Sequence, residues 1–220
     1  MQLVSKILIA AALAAVSAPA AAAGQWSLGA GVGTTGYEGS VSYRFHDNFA
    51  LTGSYSGFTY DDIDYESDDA DYSGDFDIDV YGLSVDYFPF AGRFYLSAGA
   101  VRPDIAMQVV GKPKSGTSYE FNGEEYTAQE VGTLEGRVSL GDSVQPYLGL
   151  GWRGSHQPGL GVFARLGVFL TDAEVDLRAS NENVNQGLAQ DIQQEEDDLQ
   201  DDVDEFGVYP VAMVGLEYTF

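Results

Sequence analysis

Hydrophobic and polar residues alternate strictly over many short stretches of this chain. The clearest case covers residues 37–56, where two such stretches flank a short polar turn at 46–48. In the first stretch, Tyr37 and Val41 fall on one side and Glu38 falls on the other. Successive side chains of a β-strand point to opposite faces, so this pattern predicts a β-hairpin with one apolar face and one polar face.

Ten stretches with this alternation are predicted to be strands. No stretch beyond the N-terminal region is long and apolar enough for a transmembrane helix, and an open sheet would leave backbone groups unpaired in lipid. The pattern therefore predicts an all-β fold, an antiparallel transmembrane up-and-down β-barrel. The ten strands are residues 25–33, 37–45, 49–56, 81–87, 93–100, 133–140, 145–153, 160–170, 174–179 and 208–220.

An eight-stranded barrel is the alternative, in which the stretches 25–33 and 174–179 are rejected. The strand number must be even, because both chain ends should lie on the side of the short turns at 46–48, 89–92 and 141–143. Such turns are periplasmic in bacterial outer-membrane barrels. We prefer ten strands, since eight would place the long acidic loops on the periplasmic side.

Three longer segments are predicted between the strands. Residues 59–77 form a loop rich in Asp and Tyr, and residues 102–130 form a polar loop. An extension of both flanking strands beyond the membrane is the alternative for residues 102–130. Residues 181–206 carry ten acidic residues and no basic residue. The apolar residues of this last segment recur at helix-like spacing, which favours a helix packed over the barrel end. A segment kept disordered by charge repulsion is the alternative.

Residues 1–23 have the features of a cleaved secretory signal peptide. Lys6 precedes an apolar run at 7–16, and small residues lead to an Ala-x-Ala site at 21–23. The apolar run is too short to span a bilayer as a helix. We therefore expect export, with residues 24–220 forming the barrel.

Composition excludes several classes of function. The chain has no cysteine, so its shape must depend on strand pairing and burial instead of disulfides. Its formal net charge is −24, which argues against a nucleic-acid partner because nucleic-acid-binding domains are usually basic. The 27 glycines and 14 tyrosines fit a transmembrane barrel.

The strand assignment places charged residues of both signs on the inward face. In a lumen just wide enough for side chains, these groups would pair and hydrogen-bond, which predicts a charge-paired core that holds the shape of the barrel. A charged pore constriction is the alternative interpretation. The predicted network comprises Arg44, Arg93, Arg137, Arg153, Arg165, Arg178, Glu38, Asp86, Glu135, Asp176 and Glu217.

A weak calcium or magnesium site is a hypothesis for the first acidic loop. Residues 69–77 match the first nine positions of a calcium-binding loop, with oxygen-bearing side chains at alternate positions and Gly74 at the sixth. The twelfth position requires a bidentate Glu and holds Val80, so a solvated acidic loop is the preferred interpretation. The ligands would be Asp69, Asp71, Ser73, Asp75 and Asp77. No other cofactor is expected.

The inventory of catalytic residues is sparse, and we expect no enzymatic activity. The sequence contains neither a phosphate-binding loop nor a zinc-binding constellation. The adjacent Ser155 and His156 cannot by themselves form the geometry of a nucleophile and its base. A surface hydrolase that uses His156 with loop aspartates is the remaining enzymatic alternative.

Several motifs resemble those of the OmpW/opacity-like superfamily of small outer-membrane barrels. They are the export signal, the segments Tyr43–Phe49 and Pro146–Trp152, and the chain end Gly215–Phe220. The resemblance implies that Tyr218 and Phe220 are the terminal assembly signal read by the barrel assembly machinery. It also implies an outer-membrane location in contact with lipid and lipopolysaccharide. The acidic segment before the last strand departs from the eight-stranded OmpW pattern.

The expected function follows from this class of protein. We predict a monomeric integral outer-membrane barrel with a non-enzymatic structural or surface role. A narrow channel for small or apolar solutes is the alternative from a different functional class.

Overall fold

A computed structural model describes residues 25–67, 70–114, 116–141, 143–154, 157–181, 185–204 and 207–220. The predicted signal peptide and the Ser155–His156 pair lie outside these residues. Within them, the helices are α1 (Ala128–Val131) and α2 (Gln186–Asp204), and neither is long and apolar enough to cross a membrane. The strands are β1 (Gln25–Gly33), β2 (Gly36–His46), β3 (Phe49–Glu66), β4 (Ala70–Tyr87), β5 (Phe94–Pro113), β6 (Ser118–Phe121), β7 (Glu124–Thr127), β8 (Leu134–Leu140), β9 (Gln145–Arg153), β10 (Gly159–Leu170), β11 (Ala173–Ala179) and β12 (Val208–Thr219).

Eight of these strands pair in a closed ring. Each is antiparallel to its neighbours in the order β1, β2, β3, β4, β5, β9, β10, β12, and β12 pairs back onto β1. The closing register runs from Ser27 opposite Thr219 to Gly33 opposite Met213. A ring has no free edge, so its strands have a partner on both sides. The prediction of an all-β antiparallel architecture is confirmed.

The prediction of ten strands in the wall is wrong. Residues 134–140 and 174–179 do form strands, β8 and β11, but both lie beyond the ring. β8 pairs with residues 105–111 of β5 and with β11, whereas β9 pairs with residues 94–101 of β5 and belongs to the ring. The eight ring strands also differ from the alternative set, because β1 is included and β8 is not. Alternation does not distinguish a wall strand from one that continues the sheet above the wall.

The ring has two different ends, which we call the lower rim and the upper rim. The lower rim carries the turns after β2, β4 and β9. The start of β1 and the end of β12 also lie there, and the N–H of Phe220 donates to the carbonyl of Trp26 at 2.9 Å. The turn at 141–143, predicted to lie at this end, is at the upper rim. Leu140 stands opposite Ile105, eleven residues beyond the start of β5. β8 and β9 both run antiparallel to β5, one after the other along the same strand. Their connection therefore continues in one direction and is not a hairpin.

One side of the wall continues far above the upper rim. β3 and β4 have 18 residues each and β5 has 20. With β8 and β11 they form a sheet extension in the order β3–β4–β5–β8–β11. The loop predicted at 59–77 is therefore wrong over most of its length. At 102–130 the structure agrees with the alternative of an extended flanking strand, because β5 continues to Pro113. Strands surrounded by water carry polar residues freely, so their low hydrophobicity resembles that of loops.

Outside the ring, a hydrophobic cluster joins α2 to β11 of the sheet extension and to the β6–β7 hairpin. Leu188 and Ile192 of α2 are 0% and 2% exposed, and they cluster with Ala179 of β11 and Phe121 of β6. The helix predicted in the acidic segment is thus confirmed over Gln186–Asp204. Leu199 has the predicted helical spacing but is 40% exposed, so the apolar stripe forms a core only along the first half of the helix.

α2 also covers the free edge of β11. The N–H of Leu177 donates to Glu196 Oε2 at 2.7 Å, and the N–H of Val175 donates to Gln200 Oε1 at 2.9 Å. Gln200 Nε2 in turn donates to the carbonyl of Ala173 at 2.8 Å. An uncovered edge presents backbone groups that can pair with another chain. On β11 the side chains of α2 satisfy these groups instead.

Replacing Leu188 and Ile192 together by Ala should release α2 while the ring stays folded. Each substitution removes a buried side chain, at a cost of about 2–5 kcal/mol. Limited proteolysis of the refolded protein should then cut within residues 186–204 at least about tenfold faster than in the wild type. Leu199→Ala, at an exposed position of the same helix, should leave the rate unchanged. Equal cleavage of the double variant and the wild type would contradict this role of the cluster.

A phenol–carboxylate hydrogen bond joins the β6–β7 hairpin to α2. The hydroxyl of Tyr126 donates to Asp191, and Asn122 Nδ2 donates to the same carboxylate at 3.3 Å. The bond to Asp191 raises the pKa of Tyr126 to about 12. Because this pKa lies above the ordinary tyrosine value of about 10, the bond contributes fully below about pH 10 and is lost as the pH rises to about 12.

Asp191→Asn should lower the pKa of Tyr126 toward its ordinary value, because the charged acceptor is removed. The measurement is the alkaline ultraviolet titration, taken as the difference between each chain and its Tyr126→Phe counterpart. Asp201→Asn makes the same charge change farther along the helix and should leave the titration of Tyr126 close to that of the wild type. A titration unaltered by Asp191→Asn would show that the bond does not form.

Candidate functional site: the filled lumen

Side chains that point into the ring fill it in three layers, of which the lowest is aromatic. Phe88 and Tyr95 are 1% and 2% exposed, and their ring centroids are 5.4 Å apart. The guanidinium of Arg44 lies 4.1 Å from the centroid of Phe88 and donates to the carbonyl of Asp47. A cation over an aromatic face is attracted by the negative charge density of that face. These side chains close the lumen at the lower rim.

Arg153 is the centre of the middle layer. Its guanidinium lies 2.8 Å from Asp86 Oδ2 and 3.8 Å from Glu217 Oε2. It also donates to the hydroxyl of Ser42 at 2.7 Å and to that of Thr52 at 2.9 Å. These five residues belong to β9, β4, β12, β2 and β3. One side chain therefore links five of the eight ring strands through the interior.

The carboxylate of Asp86 is fully engaged in this layer. Asp86 is 1% exposed and accepts hydrogen bonds from Thr52 at 2.6 Å, Ser97 at 2.8 Å and Arg153 at 2.8 Å. A buried carboxylate is costly unless it is paired and hydrogen-bonded. The two hydroxyls and the guanidinium meet this requirement from three different strands.

A second ion pair, between Arg165 of β10 and Glu38 of β2, completes the charged part of the lumen. The side chains of the two residues are 12% and 2% exposed. Together with this pair, the cations Arg44 and Arg153 and the anions Asp86 and Glu217 bring the lumen to three cations and three anions. The described interior therefore has no formal net charge.

The upper layer is apolar. Phe169 and Met213 are each 1% exposed, and they belong to one buried cluster with Ile78, Val101 and Val211. An ion or a polar solute that entered from the upper rim would have to lose its hydration shell here. A hydrophobic constriction of this kind opposes permeation.

Glycines in the wall make room for aromatic rings inside the lumen. A Cβ at Gly149 or at Gly167 would collide with the ring of Tyr147. A Cβ at Gly31 would likewise collide with Phe163. Glycine in a strand interior often marks such a close approach. Part of the high glycine content of the chain thus serves to fill the lumen with rings.

Four buried polar atoms in or beside the middle layer have no hydrogen-bond partner within the described protein. They are Glu38 Oε1, Glu217 Oε1, Arg165 Nε and the hydroxyl of Tyr147. Buried polar groups are generally satisfied by protein or by ordered water. Ordered water is the ligand that fits this mixture of donors and acceptors.

Six of the eleven residues predicted for the charged network face the lumen. Sequence reasoning missed Ser42, Thr52 and Ser97, whose hydroxyls complete the ion pairs. Their inward position was visible in the alternation, but neutral side chains gave no charge signal. The six residues inside the ring are Arg44, Arg153, Arg165, Glu38, Asp86 and Glu217.

The placement of the other five residues in the lumen is wrong. On β8 and β11 opposite charges face each other above the upper rim, as Arg137 does Asp176. Arg93 precedes β5, and its guanidinium lies 5.9 Å from the ring centroid of the outward-facing Trp152. The error for the residues of β8 and β11 arises because these strands are not part of the wall. The five residues are Arg93, Arg137, Arg178, Glu135 and Asp176.

The structure gives the calcium hypothesis no support. Asp71, Ser73, Asp75 and Asp77 lie in strand β4 and not in a loop, and Asp69 lies outside the described residues. Alternate residues of a strand are about 6.6 Å apart, so a row of them cannot converge on one ion. Among the residues that the structure describes, no group of three or more acidic, His or Cys side chains is placed to hold a metal.

The predicted assembly signal lies on the outside of the ring at the lower rim. Tyr218 and Phe220 are 48% and 49% exposed, and their ring centroids are 5.1 Å apart. This position is open to a partner. The role in assembly stays a prediction.

Replacing Arg153 by Leu should destabilise the protein by about 3–5 kcal/mol, because Asp86 and Glu217 then stay buried without their countercharge. Urea unfolding of the refolded protein in detergent, followed by tryptophan fluorescence, measures this loss. Arg178→Leu removes an arginine whose side chain is 71% exposed and should cost less than about 1 kcal/mol. Adding Asp86→Asn and Glu217→Gln to Arg153→Leu should restore part of the stability. Equal losses in both arginine variants would rule out the proposed linking role.

Comparisons with known proteins identify the fold but not a family. Neither a family model nor the sequence of a curated protein matches this chain, and the OmpW/opacity-like superfamily is not confirmed. Crystal structures of CarO2 and CarO from Acinetobacter baumannii are similar, with TM-scores of 0.58 and 0.57 and sequence identities of 19% and 21%. Each match covers 89% of this chain and 98% or 97% of the CarO chain. CarO is an outer-membrane β-barrel protein, and this chain has a barrel fold like that of CarO.

Proposed function

We propose that this chain is an integral outer-membrane β-barrel with a closed, charge-paired lumen and a non-enzymatic structural or surface role. The observation that carries the proposal is an uninterrupted apolar band around the outside of the ring. Leu83 of β4, Leu148 of β9, Leu166 of β10 and Val214 of β12 are each 58–63% exposed there. An exposed apolar surface of this extent is unfavourable in water, whereas lipid accommodates it.

The height of the band fits a membrane. On β4 the outward-facing residues are apolar or aromatic from Tyr87 up to Tyr81, and the first charged one is Asp79. The eight residues 80–87, up to the position next to Asp79, span about 27 Å of strand at about 3.4 Å each. A tilt of about 40° reduces this to about 20 Å along the barrel axis, close to the roughly 25 Å of known transmembrane barrels.

Aromatic pairs mark both borders of the band. At the lower rim the ring centroids of Trp26 and Tyr43 are 4.6 Å apart. Near the upper rim those of Tyr55 and Tyr81 are 4.9 Å apart. Aromatic girdles of this kind lie at the two membrane interfaces of outer-membrane barrels.

The barrel fold shared with CarO supports the same location for this chain. In that location the apolar band contacts lipid and lipopolysaccharide, and the chain end is available to the barrel assembly machinery. The short turns of the lower rim face the periplasm, and the sheet extension with α2 faces outward. Because the ring closes on itself, a monomer suffices for insertion. Export would depend on the signal peptide predicted at residues 1–23.

A narrow channel for small solutes is the second candidate. The polar middle layer favours it, because four of its buried polar atoms have no partner in the protein. The aromatic layer below and the apolar layer above oppose it, since both are closed by buried side chains. The closed lumen is therefore the better-supported proposal.

Planar-bilayer recording decides between the two candidates. The refolded wild type should insert and show no reproducible unitary conductance. A channel would show steps whose size changes in Arg165→Ala, because that guanidinium lies in the middle layer. Such steps would refute the closed lumen.

Membrane insertion itself is tested separately. The refolded protein in detergent should show a gel mobility that changes on heating, as a closed barrel unfolds. A mature chain that is folded and monomeric without detergent would contradict the outer-membrane proposal.

A further inference from the structure

The sheet extension has two edges, and only one of them is covered. The edge of β11 is occupied by side chains of α2. The other edge is the upper part of β3. β2 pairs with β3 only up to Gly57, opposite Tyr37, whereas β4 pairs with β3 as far as Glu66. Residues 58–60 and 63–66 of β3 thus pair with β4 on one side, with an irregularity of the β-bulge type at residues 61–62 between them. No strand of the described chain occupies the other side of residues 58–66.

The exposed side chains of this bare edge are mostly aromatic on one face, which also carries Ile63. The other face carries Thr59 and acidic side chains. Phe58, Tyr60 and Tyr65 are 38%, 53% and 65% exposed and stand opposite Ile78, Phe76 and Tyr72 of β4, on the face that continues the lumen wall. On the opposite face, Asp64 stands across from Ser73 and Glu66 across from Asp71, and both acids are exposed.

We propose that residues 58–66 are a strand-addition site for an extended, cationic segment of a partner polypeptide. An added strand would donate to and accept from the free backbone groups of β3. Because side chains alternate along residues 63–66, its apolar residues would lie beside Ile63 and Tyr65. Its lysine or arginine residues would lie beside Asp64 and Glu66, where opposite charges on neighbouring strands attract.

Charge determines which strand this edge accepts. Asp61, Asp64 and Glu66 are all exposed, and the whole chain has a net charge of −24. A second copy would bring the same acids against each other, and like charges on paired strands are destabilising. Charges on an edge also discourage indiscriminate pairing. The acids therefore exclude acidic strands and other copies while they favour a basic strand.

The site lies above the apolar band, so binding of a strand there does not depend on insertion into lipid. It also differs from an acidic patch that attracts any cation. The proposal requires backbone pairing at one defined edge, and this requirement can be tested separately from charge.

The test uses the refolded full-length mature chain and a labelled nine-residue peptide in which lysine alternates with tyrosine or valine. Fluorescence anisotropy should show binding, and hydrogen exchange should show new protection of backbone amides within residues 58–66. Amides of residues 173–179 should be unchanged, because that edge is already covered. The same peptide with alternate backbone N-methyl groups keeps its charge but loses its donors, and it should bind at least about tenfold more weakly.

The variants test the acidic face. Asp64→Lys combined with Glu66→Lys should weaken binding of the unmodified peptide at least about tenfold, since attraction becomes repulsion. Glu174→Lys combined with Asp176→Lys makes the same charge change on the covered edge of β11 and should change binding less than about twofold. Asp64→Asn only removes a charge and should weaken binding about threefold. This milder variant tests the acidic face if the double variant does not refold.

Several results would overturn the proposal. Binding that is insensitive to N-methylation would show a purely electrostatic attraction. Equal effects of the two charge-reversal variants would show that β3 is not the site. Peptide-induced protection confined to other segments would have the same meaning. Protection of residues 58–66 by self-association without peptide would assign the edge to a second copy instead.

Discussion

Backbone N–H and C=O groups that face an apolar environment must be hydrogen-bonded within the protein, and this requirement governs the architecture. The ring of eight antiparallel strands meets this requirement because every strand has two partners. Two of its pairings, β5 with β9 and β12 with β1, join strands that are far apart in the sequence. The apolar band surrounds only this closed part. Above the upper rim, where water can satisfy backbone groups, the sheet opens and acquires edges.

The interior of the ring reverses the usual distribution of polarity. The outer face of the ring is apolar, so the polar contacts that hold opposite strands together lie inside the lumen. Arg153 contributes most clearly, because its contacts join five strands around Asp86 and Glu217. Aromatic rings such as Tyr147, lying across glycines of the wall, fill the remaining space.

The sheet extension shows two solutions to one physical problem. On β11, Glu196 and Gln200 of α2 take up the edge backbone groups, so an acidic helix has a structural role. On β3, exposed acids such as Asp64 and Glu66 leave the backbone free but make pairing selective for charge. The surface that the protein presents beyond its upper rim is therefore asymmetric.

Alternation in the sequence predicted the eight ring strands within the wall and the side of each that faces inward, because a period of two residues records the difference between the two faces. It thereby placed Glu38, Asp86 and Arg153 on the inward face, and the helix-like spacing in 181–206 indicated α2. Alternation did not predict the continuation of β3, β4 and β5 above the upper rim, where polar residues are tolerated on both faces. Only the tertiary structure decided which strands form the wall, since β8 and β9 both oppose β5 and alternate alike. That choice moved Arg137 and Asp176 out of the lumen. Alternation records the faces of a strand but not its neighbours, which are selected by pairing between residues far apart in the chain.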